Sequence, residues 1–184
     1  MARSLKDDLY LSERGRCEDY SQRPWHGQAL HRRNHGPYPR RRLIPVLVDS
    51  NVILDIFTED PKWFDWSAKK LSELAEKDHL VINLIIYAEV SIRFERIEDL
   101  EDALPHGIFI REELPWEAAF LAGKCFLAYK KRRGIKTSPP PDFYIGAHAA
   151  VRDYALLTRD ARRYRAYFPK LKLIAPSEDV ETKR

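Results

Sequence analysis

The sequence predicts an α/β domain with three layers, in which helices cover both faces of a central, mostly parallel sheet of four to five strands. Short apolar runs typical of buried strands alternate with longer segments whose apolar residues repeat at helical spacing. Such alternation favours right-handed crossovers and parallel strands. The runs that we interpret as strands are residues 45–48, 80–83, 108–110, 155–158 and 171–174.

The first strand leads directly into an acid. Four apolar residues, Pro45 to Val48, precede Asp49, Ser50 and Asn51, and a second apolar run follows. This order predicts a buried strand, an aspartate at its carboxyl end, and a short helix capped by Ser50 or Asn51. Because ligands bind at the carboxyl ends of parallel strands, Asp49 is the first candidate functional residue.

Helices are predicted at residues 52–57, 63–77, 84–95 and 97–104, with two more in the second half of the chain. The longest begins at Pro115, a position that tolerates proline, and stops before Gly134. We expect its buried face to consist of Trp116, Ala119, Phe120, Gly123 and Leu127. The helix that begins at Asp142 has a face of small residues suited to close packing on a sheet, namely Gly146, Ala147 and Ala150.

Positive charge is concentrated at the start of the 184 residues. Residues 1–42 contain ten Lys or Arg and five acids, whereas the remainder carries a net charge of −1. This basic leader has few aliphatic residues and no periodicity, which predicts disorder. We expect residues 43–176 to fold as the domain and residues 177–184 to form a charged tail. Since the domain is nearly neutral, its net charge is weak evidence for nucleic-acid binding.

The composition argues against several other classes of protein. No apolar run approaches the roughly 18 residues of a membrane span, and the leader does not look like a secretory signal. Two cysteines are too few for a disulfide framework, which favours a cytoplasmic protein. Glycine-rich phosphate loops, zinc spacings and nucleophile elbows are absent from the sequence. His148, in the small-residue helix, is interpreted as structural or on the surface.

Four acids are candidates for one site at the carboxyl edge of the sheet: Asp49, Glu89, Asp142 and Asp160. Asp49 and Asp160 closely follow strands, Glu89 lies about two helical turns beyond another, and Asp142 begins a helix. Each also has an ordinary structural explanation. The aspartates can cap helices, and Glu89 can lie on an exposed stripe, although it is surrounded by apolar residues.

Four acids that meet at one edge require a counter-charge. Two carboxylates about 5 Å apart repel by roughly 3 kcal/mol at an effective dielectric constant near 20. Ligation by carboxylate oxygens alone suits Mg²⁺ or Mn²⁺ better than zinc. Magnesium held in this way commonly takes phosphate oxygens as further ligands. The chemistry that this pattern indicates is metal-assisted phosphodiester hydrolysis.

At these acids the chain resembles the PIN-domain ribonucleases, and most closely the VapC-like toxins of toxin–antitoxin pairs. The similarity covers residues 44 to about 176. It is carried, in the family's order, by VLVDSNVILDIF (46–57), INLIIYAEVSIRFERIEDLEDAL (82–104), PPPDFYIGAHAAV (139–151) and LLTRDARRYRAYFP (156–169).

The resemblance implies a metal-dependent endoribonuclease with a parallel sheet between helices. By position, the metal-binding and catalytic acids are Asp49, Glu89, Asp142 and Asp160. Thr158, Ser50 and Asn51 look like the residues that support this site. The family also implies an RNA substrate, frequent homodimers, and an antitoxin that covers the groove with a basic side chain.

Arginines beside Asp160 are candidates for contacts with RNA phosphates. Arg159, Arg162 and Arg163 lie within three residues of that acid, and phosphate binding requires positive charge around a negative site. A solvated helix face explains them equally well. Two other functions remain open, namely a PIN nuclease in RNA processing without an antitoxin and a metal-free RNA-binding module.

Overall fold

The structure is a computed structural model and describes residues 45–132 and 134–177. The predicted leader (residues 1–42) and residues 178–184 of the predicted tail lie outside the described residues.

Five strands form one parallel sheet. They are β1 (Val46–Val48), β2 (Leu80–Asn83), β3 (Phe109–Glu112), β4 (Ala155–Leu157) and β5 (Leu173–Ile174), paired in the order β3-β2-β1-β4-β5. The predicted parallel sheet of four to five strands is therefore confirmed. Every residue of β1, β2 and β4 is buried, as expected for strands covered by helices on both faces.

In the described residues, seven helices flank the sheet. They are α1 (Ser50–Phe57), α2 (Phe64–Ala75), α3 (Leu84–Ser91), α4 (Ile97–Ala103), α5 (Trp116–Lys131), α6 (Pro141–Arg152) and α7 (Ala161–Tyr167). None of them is both long enough and apolar enough to cross a membrane.

The predicted buried face of α5 is wrong. Trp116 is 89% exposed, and Phe120, Gly123 and Leu127 also face outward, while Ala119 is half-buried. The helix instead packs through smaller side chains, which let it lie close to α6. The residues that face the core are Ala118, Leu121, Ala122, Cys125 and Ala128.

The predicted small-residue face of α6 is buried at Gly146 and Ala147 and half-buried at Ala150, but Gly146 packs against α7 and not against the sheet. A Cβ atom on Gly146 would lie 2.5 Å from the ring of Phe168 and 3.0 Å from the ring of Tyr164. Glycine at this position therefore allows α7 to approach α6 closely.

The first helix begins two residues earlier than the predicted start at residue 52. Asp49 occupies its N-cap position without a side-chain capping bond, and Ser50 is the first helical residue. The expectation that Ser50 or Asn51 caps α1 is therefore wrong. The side chain of Ser50 instead contacts Glu89 on α3, and that of Asn51 contacts Thr158 after β4.

Candidate functional site

The site lies where the order of strands changes direction. The chain runs from β1 outward to β2 and β3, then returns to the other side of β1 as β4. Val48 is in register with Leu157, so the following residues, Asp49 and Thr158, emerge side by side. The backbone N–H of Asp49 donates to the Leu157 carbonyl at 2.9 Å. In open α/β sheets, ligands bind at such a switch point.

Three side chains donate hydrogen bonds to one oxygen of Asp49. Its Oδ2 atom accepts from Asn51 Nδ2 at 2.7 Å, from Thr158 Oγ1 at 2.8 Å and from the Tyr164 hydroxyl at 3.0 Å. Asp49 is only 2% exposed. A buried carboxylate is costly unless it is hydrogen-bonded, so these donors make an acid possible at this position.

Ser50 joins Asp49 to the second acid of the site. Its hydroxyl donates to Glu89 Oε2 at 2.7 Å and lies 3.5 Å from Asp49 Oδ1. Glu89 is half-buried on α3, which begins directly after β2. Ser50 therefore bridges two of the four acids that were predicted to share one site.

The pKa of Asp49 is raised from 3.8 to about 6, and burial is the largest cause. Hydrogen bonds from Thr158 and Tyr164 lower this pKa, while the negative charge of Glu89 raises it. A buried carboxylate whose ionisation is disfavoured by a neighbouring acid is suited to a cation. The pKa of the Tyr164 hydroxyl is raised well above 10, through burial and the nearby Asp49 charge, so this phenol keeps its proton.

The other two acids have different partners. Asp160 is exposed and caps α7, since its Oδ1 accepts from the Arg162 backbone N–H at 3.2 Å. Its own N–H donates to Thr158 Oγ1 at 3.2 Å, which ties it to the edge of the site. Asp142, in the first turn of α6, forms an ion pair with Arg163.

Within the described residues, no three His, Cys, Asp or Glu side chains lie close enough together to hold a metal ion. The expected meeting of all four acids is therefore absent there, because Arg163 takes Asp142 and Asp160 caps its own helix. Mg²⁺ is commonly held by one or two carboxylates together with water and phosphate oxygens. Asp49 and Glu89 are hard oxygen donors with an unbalanced negative charge, so they fit such an ion.

The three candidate RNA-binding arginines differ in their contacts. Arg159 pairs with the buried Asp55 at 2.8 Å and lies 3.7 Å from Asp60. Arg163 is held by Asp142. The side chain of Arg162 is exposed and makes no ion pair with the described part of the chain, which leaves it available to a ligand.

Sequence reasoning missed two groups that shape the site. Tyr164 lies on the buried face of α7, together with Ala161 and Tyr167. The spacing of three residues between these apolar positions is typical of a helix, and this spacing could have identified Tyr164 as buried. Asp55 is an acid inside an apolar helix, the same signal that identified Glu89. It accepts from Ser67 Oγ at 2.8 Å as well as from Arg159, and both Asp55 and Ser67 are buried.

His148 supports the helix that carries Glu89. Asn83 caps α3, with its Oδ1 accepting from Ile85 N and Ile86 N, and its Nδ2 lies 3.0 Å from His148 Nδ1. Burial lowers the pKa of His148 and outweighs Glu112, whose Oε2 lies 3.6 Å from Nε2. We therefore interpret His148 as neutral, in agreement with the predicted structural role.

Similar folds occur in complexes of toxins with antitoxins. One is VapBC2 from Rickettsia felis bound to a promoter DNA fragment, at 17% identity and a TM-score of 0.57. The match covers 73% of the present chain and 100% of the Rickettsia chain. Two others are VapBC-1 from nontypeable Haemophilus influenzae (21% identity, TM-score 0.55) and a toxin–antitoxin complex from Klebsiella pneumoniae (23% identity, TM-score 0.52), and each match covers 72% of the present chain and 98% of the chain compared. At these identities the similarity shows a shared fold.

No curated protein sequence matches the chain. Residues 46–169 match the model of the PIN domain. This span contains the four predicted acids and the side chains that contact Asp49, namely Ser50, Asn51, Thr158 and Tyr164. Together with the parallel sheet, this match establishes that the chain belongs to the PIN-domain family.

Proposed function

We propose that this protein is a magnesium-dependent endoribonuclease and the toxin of a toxin–antitoxin pair, with manganese as an alternative metal. The observation that carries the proposal is the pair of acids at the switch point, Asp49 and Glu89, which Ser50 joins. Membership of the PIN-domain family supports a nuclease. The toxin role is supported by the folds found in toxin–antitoxin complexes.

Asp49 and Glu89 are the residues that would hold the metal, and Asp142 and Asp160 would complete the catalytic set. A bound divalent ion supplies charge neutralisation at the phosphate and lowers the pKa of an attacking water. Asn51 and Thr158 hold one oxygen of Asp49, and Ser50 holds Glu89 next to it. Arg163 balances the charge of Asp142 and must move away before that acid can bind a cation.

The proposal is tested by incubating the full-length chain with a labelled RNA mixture, in Mg²⁺ or in EDTA. We expect cleavage in Mg²⁺ alone, and none by Asp49→Asn. Asp102→Asn, which makes the same change at an exposed residue of α4, serves as the control and should cleave normally. Equal cleavage by the Asp49→Asn and Asp102→Asn proteins would refute the proposed site.

Two protein partners belong to this proposal. A small antitoxin that copurifies with the chain and blocks cleavage would distinguish the toxin from a nuclease of RNA processing. A second copy of the chain is the other partner. For this homodimer we propose the outward face of α5, on which Trp116 and Leu127 are exposed.

Arg162 is the arginine that we expect to contact RNA, because its side chain is exposed and makes no ion pair within the described residues. In the cleavage-deficient Asp49→Asn background, Arg162→Ala should weaken RNA binding and lower the slope of log K against log salt by about 0.7. Fluorescence anisotropy at several salt concentrations measures both effects.

Arg152→Ala is the matched control for this measurement. Arg152 is also exposed, but it ends α6 just before β4 and therefore lies at the opposite edge of the sheet. The Arg152→Ala substitution should leave the affinity for RNA and the slope of log K against log salt unchanged. If both substitutions lower the slope equally, RNA binding is not localised at the candidate site.

The absence of a cluster of three acids from the described residues favours a second candidate function, an RNA-binding module that needs no metal. In that case calorimetry would detect RNA binding but no binding of Mg²⁺ or Mn²⁺ by the wild-type chain.

A further inference from the structure

Tyr164 contacts the central acid from a helix that is distant in sequence. Its side chain is 2% exposed, and its hydroxyl lies 3.0 Å from Asp49 Oδ2. The ring packs beside Gly146 of α6, so the position of the hydroxyl is set by the packing of α7 on α6. This hydroxyl takes no part in the capping of α7 by Asp160 or in the ion pairs of Arg159 and Arg163.

The network around Asp49 leaves little freedom in the direction of its hydrogen bonds. Asn51 Oδ1 accepts from the Arg159 backbone N–H at 3.2 Å, so its amide nitrogen faces Asp49. Thr158 Oγ1 accepts from Asn51 Nδ2 at 3.1 Å and from the Asp160 N–H at 3.2 Å. Since a hydroxyl has two acceptor positions and one proton, the Thr158 proton goes to Asp49.

All three donors therefore converge on Oδ2. Asn51 lies on α1 and Thr158 directly follows β4, whereas Tyr164 donates from α7. Turning the plane of the carboxylate away from this orientation would break three hydrogen bonds to an ionised group, each stronger than a neutral one. The other oxygen, Oδ1, consequently stays on the side of Ser50 and Glu89.

We infer that Tyr164 is a positioning residue that locks the carboxylate of Asp49 by holding Oδ2, so that Oδ1 and Glu89 together face the ligand. This role rests on the proposed metal-dependent nuclease. Tyr164 acts through Asp49 and does not itself touch the substrate. Its effect is therefore expected in catalytic turnover and in metal affinity, while RNA binding stays unchanged.

The test compares Tyr164→Phe with Tyr167→Phe in the full-length protein. Both remove a hydroxyl from a buried ring of α7, but Tyr167 makes none of the contacts described for Asp49; its ring packs edge-to-face on Phe143 at 4.8 Å. For Tyr164→Phe we expect kcat and calorimetric Mn²⁺ affinity to fall about 10- to 100-fold, as for other residues that orient metal ligands. KM for RNA should stay within about twofold, and Tyr167→Phe should match the wild type in all three quantities.

A Tyr164→Phe protein with wild-type kcat and Mn²⁺ affinity would overturn the inference, provided that Asp49→Asn is inactive in the same assays. Equal losses in both tyrosine variants would also overturn it, since they would indicate a general effect on α7. If the wild-type chain neither cleaves RNA nor binds metal, the proposed function itself fails, and the role of Tyr164 fails with it.

A double-mutant cycle in urea measures the same contact without any activity. Tyr164→Phe and Asp49→Ala, which removes the acceptor of the tyrosine hydroxyl, should be non-additive in the free energy of unfolding, whereas Tyr167→Phe and Asp49→Ala should be additive. Additivity in both cycles would show that the hydroxyl does not act on Asp49, and would overturn the inference.

Discussion

Asp49→Asn is expected to eliminate cleavage and at the same time to stabilise the metal-free protein at neutral pH. Loss of the central carboxylate should reduce the rate by at least about a thousandfold, because metal-assisted charge stabilisation contributes several kcal/mol. Asparagine has the same shape, and its oxygen can still accept from Asn51, Thr158 and Tyr164. The fold should therefore be preserved.

The gain in stability follows from the raised pKa. The Asp49 carboxyl titrates at about 6 in the folded chain, against 3.8 ordinarily, so between these values the folded state holds a proton that the unfolded state has lost. The contribution of Asp49 to stability is therefore fully present below pH 4 and is lost as the pH rises through 6. At pH 7.5 the ionised group costs up to about 3 kcal/mol.

We thus expect Asp49→Asn to raise the free energy of unfolding at pH 7.5 by up to about 3 kcal/mol, with the gain disappearing near pH 4. Urea unfolding in EDTA at both pH values measures the effect. Asp102→Asn should change it by less than about 0.5 kcal/mol at either pH. An Asp49→Asn protein less stable than the wild type at pH 7.5 would contradict this explanation.

Arg159→Ala is expected to destabilise the fold by about 3 kcal/mol, because it leaves the carboxylate of Asp55 buried without its cation. Asp55 is 2% exposed, and Ser67 is its other hydrogen-bond partner. Burial already raises the pKa of Asp55 although Arg159 lowers it. The destabilisation should consequently diminish at acidic pH, where Asp55 takes up a proton.

Urea unfolding at pH 7.5 tests this second prediction, with Arg162→Ala as the matched control. Both variants remove an arginine next to Asp160, but Arg162 makes no ion pair among the described residues, so its loss should cost less than about 0.5 kcal/mol. Arg159→Ala combined with Asp55→Asn should recover part of the stability. If the two single variants are equally stable, Arg159 does not hold α1 to the end of β4.

The residues at the strand ends could be predicted because parallel strands align their carboxyl ends. Asp49 and Thr158 follow strands that pair in register, and an apolar run was sufficient to identify each strand. Glu89 could be predicted because an isolated acid in an apolar helix requires a partner. In each case a short stretch of sequence identifies the residue, and the alignment of parallel strands brings the residues to the same edge of the sheet.

What could not be predicted depends on how helices pack on each other. The ion pair of Asp142 with Arg163 and the contact of Tyr164 with Asp49 both require the position of α7 on α6. Either of two adjacent stripes of α5 could have been buried. Alanine and cysteine side chains allow a closer approach than Trp116 or Phe120, and the large residues were left outside.

Asp49 and Glu89 together should bind a divalent cation. A calorimetric titration of Mn²⁺ into the full-length chain, metal-free at the start, tests this binding in parallel with Glu89→Gln. We expect saturable binding by the wild type and an affinity at least about tenfold weaker in Glu89→Gln. Equal affinities in the two proteins, or no binding by the wild type, would contradict it.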